Sequence, residues 1–157
     1  MTEERCEFLA DADETMRAGA RVARGLRGGM IVTLSGQLGA GKTTLVRGML
    51  RGLGWNGAVK SPGYVLLEHY QISSLYFYHF DFYRFENHSE WETAGFSDYF
   101  RPDAVCAIEW PERIAALLPA ADLSLRLDSA EPGRELRVRA STLAGSACLE
   151  TFATSAS

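Results

Sequence analysis

A three-layer α/β sandwich with a mixed central sheet and a late pair of antiparallel strands is the fold this sequence predicts. Residues 30–34, Met-Ile-Val-Thr-Leu, are short, β-branched and almost wholly apolar, and they lead through a glycine-rich loop into a helix-patterned segment. A strand covered on both faces and followed by its crossover helix reads this way. Residues 104–108, Ala-Val-Cys-Ala-Ile, are a second continuous apolar run. Residues 123–127 and 136–140 instead alternate with period two around Glu131-Pro132-Gly133-Arg134, the pattern of an antiparallel hairpin with one solvated face. Helices interleaved with strands, then strands alone, give a mixed sheet.

Taken in order, Asp11-Ala12-Asp13-Glu14 opens the first helix, with Asp11 as its cap and Glu14 reaching back in a capping box. Met16, Ala20, Ala23 and Leu26 recur behind it at helical spacing, and Gly28-Gly29 stops the helix. After the glycine loop, Leu45, Val46, Met49, Leu50 and Leu53 form one apolar stripe, with Arg47 and Arg51 on the other side and Gly54 at the end. Ser61-Pro62-Gly63 is a turn signal. Residues 64–67 then read as strand, as do the aromatic-rich residues 75–82. Residues 87–100 read as partly helical around Trp91 and Phe96. The Ser-, Ala- and Thr-rich end, about residues 145–157, reads as a frayed tail on a single domain spanning 1–157.

The bulk properties exclude several classes. A chain of 157 residues and 17.3 kDa with 46% hydrophobic and 23% charged residues is globular in composition. Its formal charge of -4 and pI near 5.4 offer no bulk attraction to DNA or RNA. The three cysteines, Cys6, Cys106 and Cys148, lie far apart without a Cys-x-x-Cys pair and read as buried reduced thiols. The acidic start Met-Thr-Glu-Glu-Arg has no apolar segment behind it, and no run approaches the ~20 apolar residues that cross a bilayer. A cytoplasmic location, with no membrane partner, is the expectation.

Gly36, Gln37, Leu38, Gly39, Ala40, Gly41, Lys42 and Thr43 satisfy G-x-x-x-x-G-K-[ST], the P-loop pattern. ATP and magnesium are therefore the expected ligands, and the fold narrows to the P-loop NTPase type. Glycines let the backbone curl so that successive N–H groups face phosphate oxygens, and the helix starting near Lys42 adds the positive end of its dipole. Lys42 neutralises β- and γ-phosphate charge, and the Thr43 hydroxyl supplies a magnesium ligand. A glycine-rich turn that binds nothing is the alternative, but here a buried strand precedes the loop and a well-patterned helix follows it.

A magnesium site needs a carboxylate at a strand end, and the sequence offers two. Asp81 closes the strand around Tyr78-His79-Phe80, and Glu109 closes residues 104–108 with the more abrupt change from apolar to acidic. Spacing does not choose between them. His79 shares a strand face with Asp81, and it reads first as a hydrogen-bonded histidine near the sheet end, second as catalytic. His69, His79 and His88 have no metal-ligand spacing. The Asn/Thr-Lys-x-Asp signature of guanine recognition is absent, and no arginine-bearing lid of a metabolite kinase stands out.

Five blocks occur in one order: Gly39-Ala40-Gly41-Lys42-Thr43-Thr44, Val59-Lys60-Ser61-Pro62, Tyr78-His79-Phe80-Asp81-x-Tyr83-Arg84, Gly95-x-x-Asp98-Tyr99-Phe100 and Ile108-Glu109-Trp110-Pro111. Together they resemble the TsaE (YjeE) family, bacterial ATPases required for threonylcarbamoyl-adenosine in tRNA. The resemblance runs from the first helix to the late hairpin. It implies an ATP-hydrolysing accessory subunit with one nucleotide site, docking on the TsaD–TsaB complex and meeting tRNA only through it. It further implies that Gly39 to Thr44 cradle the phosphates, Thr43 and Glu109 hold magnesium, and Asp81 orients metal or attacking water. Lys60, Ser61, Pro62, Gly63 and Tyr64 would form a switch-like loop sensing the γ-phosphate, Trp110 a packing or docking residue, and Arg134 an approach to the nucleotide from the hairpin. Gln37 stands where the family commonly has an acid, and Gly63 and Val65 stand where its Ser-Pro-Thr-Tyr-Thr run carries hydroxyls. Two other functions fit a P-loop: a small-molecule or nucleoside kinase, and a nucleotide-dependent binding module without turnover.

Overall fold

The computed structural model describes residues 3–62, 66–86, 91 and 95–155. Its strands are β1 (Glu3–Leu9), β2 (Ile31–Gly36), β3 (Leu67–Ile72), β4 (Leu75–Asp81), β5 (Ala104–Glu109), β6 (Leu123–Ala130) and β7 (Gly133–Ala140). They form one seven-stranded sheet in the order β1-β7-β6-β2-β5-β4-β3. The centre is parallel, β2 lying between β5 and β6 and β5 between β2 and β4. Both edges are antiparallel, through β3–β4 on one side and β6–β7–β1 on the other. The mixed sheet and the late hairpin are as the sequence predicts.

Three helices, α1 (Ala12–Ala23), α2 (Lys42–Leu53) and α3 (Leu143–Thr154), share one core with the sheet side that carries Val32, Leu34, Phe77, Val105, Ala107 and Leu125. The opposite side, with Ile31, Phe80, Cys106 and Ile108, packs against Phe82, Phe85, Trp91, Phe96 and Ile114. That second layer is aromatic, with rings of Phe80, Phe82, Trp91 and Phe96 meeting at 5.5–6.0 Å between centroids. Every residue of β5 is buried, as its unbroken apolar run requires.

α1 and α2 touch backbone to backbone. A methyl group on Gly19 would collide with the Leu45 carbonyl, and one on Gly48 with the Met16 carbonyl. This contact sets the face α1 buries: Thr15, Ala18, Gly19, Val22 and Ala23. The sequence pattern shared Ala23 with this face but named Met16 and Ala20, which are only half-buried, because it followed apolar residues and passed over Thr15 and Gly19. Asp11 caps the helix as expected, its Oδ1 accepting from the Glu14 amide at 2.9 Å; the reciprocal Glu14 bond is not among those of the described residues. The helix ends at Ala23, before Gly28-Gly29, and Leu26 is buried beyond it.

The remaining differences have local causes. β1 went unpredicted because an edge strand in which five of seven positions are exposed carries no apolar signal. β3 starts at Leu67 rather than 64, since Leu66 takes φ +65°, outside the strand region; residues 63–65 lie outside the described residues. Within the 87–100 segment the described residues hold a 3-10 turn at Phe96–Tyr99 and a buried Trp91, while residues 87–90, with His88, and 92–94 lie outside them. Cys106 and Cys148 are buried free thiols, pushed up by burial to about 12 and about 11, but Cys6 is exposed. No helix among the described residues is long and apolar enough to cross a membrane.

The clearest correction is at the C-terminus. The segment read as a frayed tail is α3, which buries Gly145, Cys148, Leu149 and Phe152. Thr142 caps it, accepting from the Gly145 amide at 3.0 Å and donating to Asp122 Oδ1 at 2.7 Å, while Asp122 Oδ2 accepts from the Ile31 amide at 2.8 Å. Arg21 stacks 4.1 Å from the Phe152 ring centre and donates to the Phe152 carbonyl. Small residues blur the apolar stripe of this helix, so periodicity missed it. Phe152→Ala is expected to cost about 3–5 kcal/mol, read as a lower urea midpoint at unchanged slope. A change within about 0.5 kcal/mol, as for a surface position, would return the segment to a loose tail.

Candidate functional site

Parallel strands end on the same edge, and the site is where β2, β4 and β5 end. β2 delivers the loop at Gly36, which takes φ +137° with its α-carbon so close to the Leu127 carbonyl that a methyl group would collide. Gly39 and Gly41 follow at φ +80° and +108°, values that favour glycine. α2 then begins at Lys42. Its N-cap is Gly41, which has no side chain to cap the first amides, and its first turn carries no acid. The N–H groups of Lys42, Thr43 and Thr44 therefore have no carbonyl of the same helix to bond.

Asp81 and Glu109 arrive beside this loop because β4 and β5 pair them directly, and Leu34 of β2 pairs with Glu109. Period two puts His79, Asp81 and Glu109 on the side of the sheet where α2 packs. A cavity of about 310 Å³ results, lined by Leu38, Gly39, Gly41, Lys42, Thr43, Thr44, Ser61, Asp81, Glu109 and Trp110. Sequence reasoning named each of these residues.

Lys42 is buried, 5% exposed. Its Nζ donates to the Gly36 carbonyl at 2.6 Å and lies 4.0 Å from the Trp110 ring centre. Burial holds its pKa below the ordinary lysine value, against the charges of Glu109, Asp81 and Glu112. Trp110 reaches over the lysine from a left-handed backbone position, φ +57°, and its ring meets Tyr83 at 4.9 Å. Asp81 is pushed up by burial; the Tyr83 amide, donating to Oδ1 at 3.0 Å, opposes that, and the nearby Glu109 charge adds to it. Glu109 is 4% exposed, and its Oε2 lies 2.5 Å from Nε2 of the fully buried His79.

Other predicted residues stand around the cavity rather than in it. Gly36, Gln37 and Ala40 form the strap, with the Ala40 amide donating to the Gln37 carbonyl at 3.1 Å. Arg134, on β7, donates to Thr15 Oγ1 at 2.9 Å, and a methyl group on Gly41 would lie 3.8 Å from its Nη1. It therefore stands behind the loop on the α1 side. Lys60 is tied through its backbone to the Tyr70 hydroxyl, and Pro62 is buried; Gly63 and Tyr64 lie outside the described residues. The sequence missed what holds these groups. The His79–Glu109 pair depends on strand register, the Thr15 hydroxyl under Arg134 on how α1 packs against β7, and the Tyr83 amide on Asp81 on the local turn after β4; only the shared face of His79 and Asp81 hinted at the first.

ATP with magnesium fits this site. The uncapped amides, open space at Gly39 and the Lys42 ammonium suit phosphate oxygens. Magnesium takes hard oxygen donors, of which it needs only one or two carboxylates when phosphates supply others; Thr43, Asp81 and Glu109, all lining the cavity, would offer such donors.

Residues 9–136 match the family model described as Threonylcarbamoyl adenosine biosynthesis protein TsaE. The chain is similar to the tRNA threonylcarbamoyladenosine biosynthesis protein TsaE of Haemophilus influenzae, 40% identical over 93% of this chain and 96% of that one. The protein of the same name from Bacillus subtilis is 37% identical over 72% and 70% of the two chains. A crystal structure of Bacillus subtilis YdiB matches with a TM-score of 0.83 at 28% identity, covering 98% of this chain and 96% of that one.

The raised pKa of Asp81 makes it a cost to the ligand-free fold. The folded state holds the Asp81 proton more tightly than the unfolded chain does, so stability falls as pH rises from the ordinary aspartate value through the raised one. Asp81→Asn keeps an oxygen for the Tyr83 amide and removes the buried charge. It is expected to raise the Tm of the ligand-free protein at neutral pH by about 2 °C and to flatten its pH dependence, read by thermal unfolding between acidic and neutral pH. A lower Tm for the variant would contradict the assignment.

Proposed function

The chain belongs to the TsaE family, and from that premise we propose that it is an ATP-hydrolysing accessory subunit for threonylcarbamoyl-adenosine modification of tRNA, acting in the cytoplasm on the TsaD–TsaB complex. The observation that carries the ATPase part is the convergence of the uncapped α2 terminus, Lys42, Asp81 and Glu109 on one cavity. Phosphoryl transfer asks a protein chiefly for positioning and charge stabilisation, and these groups offer both. The loop amides and Lys42 would hold the β- and γ-phosphates. Thr43 and Glu109 would hold magnesium, which supplies positive charge against the phosphate oxygens, and Asp81 would orient the metal or the attacking water. Burial of Lys42 beneath Trp110 keeps the cation in a water-poor setting, where its attraction for phosphate is greater. Ser61 in the cavity wall would belong to the switch-like loop with Lys60 and Pro62, and Trp110, which also lines the cavity, would be the packing or docking residue.

Lys42→Ala is expected to lower ATP hydrolysis about 100-fold or more while leaving the fold intact. The check is phosphate release with and without purified TsaD–TsaB, the wild-type protein being slow alone and stimulated by the complex. Label from γ-labelled ATP should appear in inorganic phosphate. Its appearance on an added small molecule would make the protein a kinase, and tight nucleotide-dependent docking without turnover would make it a binding module. A deletion strain with normal modification levels would sink the pathway assignment.

A further inference from the structure

We propose that His79 is the positioning residue of this site, holding Glu109 Oε2 so that the other carboxylate oxygen is presented to the nucleotide cavity. The inference rests on the ATPase reading and says which residue fixes its carboxylate.

His79 lies on β4 with its side chain 0% exposed, and Glu109 on β5 with 5% exposure. Nε2 meets Oε2 at 2.5 Å, whereas Nδ1 is buried with no hydrogen-bond partner among the described residues. A residue there only to fill the core would be apolar, as Phe77 two positions earlier on the same face is. An imidazole with one orphaned nitrogen is costly in such a place, and Glu109 is its one polar partner in the described structure. Donation to a carboxylate places the proton on Nε2. It leaves Nδ1 as a buried lone pair with no partner among the described residues.

Glu109 needs such a partner. Its side chain is long and rotatable, and it stands directly across the ladder from Asp81, whose charge repels it. Magnesium demands near-ideal octahedral geometry, and a donor on the far oxygen of a ligating carboxylate fixes that geometry and the oxygen it presents. His79 sits behind Glu109, contributes nothing to the cavity wall, and acts through it.

The test begins without ligand: long-range 1H–15N spectra of the wild-type protein should show His79 as the Nε2–H tautomer, and an Nδ1–H tautomer would overturn the proposal. Nucleotide binding by calorimetry, with and without magnesium, then separates positioning from packing. His79→Phe, which keeps the buried volume, should raise the half-saturating magnesium concentration and lower kcat by roughly 10- to 100-fold, with magnesium-free ATP binding within about twofold. His79→Gln, which can donate to the same oxygen, should recover most of both. An unchanged magnesium dependence in His79→Phe, or equal losses in the two variants, would overturn it. A wild-type protein that hydrolyses no ATP would instead sink the parent reading, while the tautomer still decides the role of His79.

Discussion

Burial of β2 and β5 on both faces is the constraint on which the rest of the structure depends. Their unbroken apolar runs cannot face water, so one side takes the three helices and the other the aromatic layer of Phe82, Phe85, Trp91 and Phe96. Strands covered on both faces are joined by crossovers and run parallel. Parallel strands end at the same edge, and that edge is where apolar sequence gives way to Gly36, Asp81 and Glu109. The site thus follows from the core: the parallel strands bring their last residues, Gly36, Asp81 and Glu109, to one edge.

At that edge the protein holds charge it would be more stable without. Lys42 and Asp81 both have pKa values displaced toward their neutral forms, burial being the largest cause for each. Their mutual attraction, the Tyr83 amide and the Gly36 carbonyl offset part of the cost. The positive φ of Trp110 adds backbone strain at the same point. Strain, desolvated charge and an uncapped helix gathered in one cavity are what a site for a multiply charged ligand looks like before the ligand arrives.

Legibility in the sequence followed the size of the physical signal. The loop from Gly36 to Thr43, the stripe of α2 and the hairpin were plain, because glycine geometry, the 3.6 period and the period of two each leave strong marks. β1 and α3 were not, for opposite reasons: the edge strand is mostly charged and exposed, and the helix is built of small residues in which no polar face stands out. The α1 face was misread where close packing at Gly19 outweighed apolar periodicity. In the site, residue types were legible and partnerships were not. Asp81 and Glu109 both announced themselves at strand ends, but that they face each other, and that His79 reaches Glu109 rather than Asp81, is a matter of register between strands almost thirty residues apart in sequence.

The antiparallel half of the sheet, outwardly remote from the phosphate loop, is tied by a short chain of polar contacts to α1, which packs on the helix that follows the loop. Arg134 starts along β7, where its register opposite Leu9 and Ser129 fixes its place. Its Nη1 donates to Thr15 Oγ1, and that hydroxyl donates to the carbonyl of Asp11, the cap of α1. Thr15 is wholly buried, so losing Arg134 would leave a buried hydroxyl with one partner fewer. α1 in turn meets α2 through Gly19 and Gly48, and α2 begins with the loop's own lysine. A shift of the hairpin by one residue would turn Arg134 to the other face of the sheet and break its bond to Thr15. The hairpin therefore helps fix the start of α1, and through α1 the helix that carries Lys42, although it contributes nothing to the cavity wall.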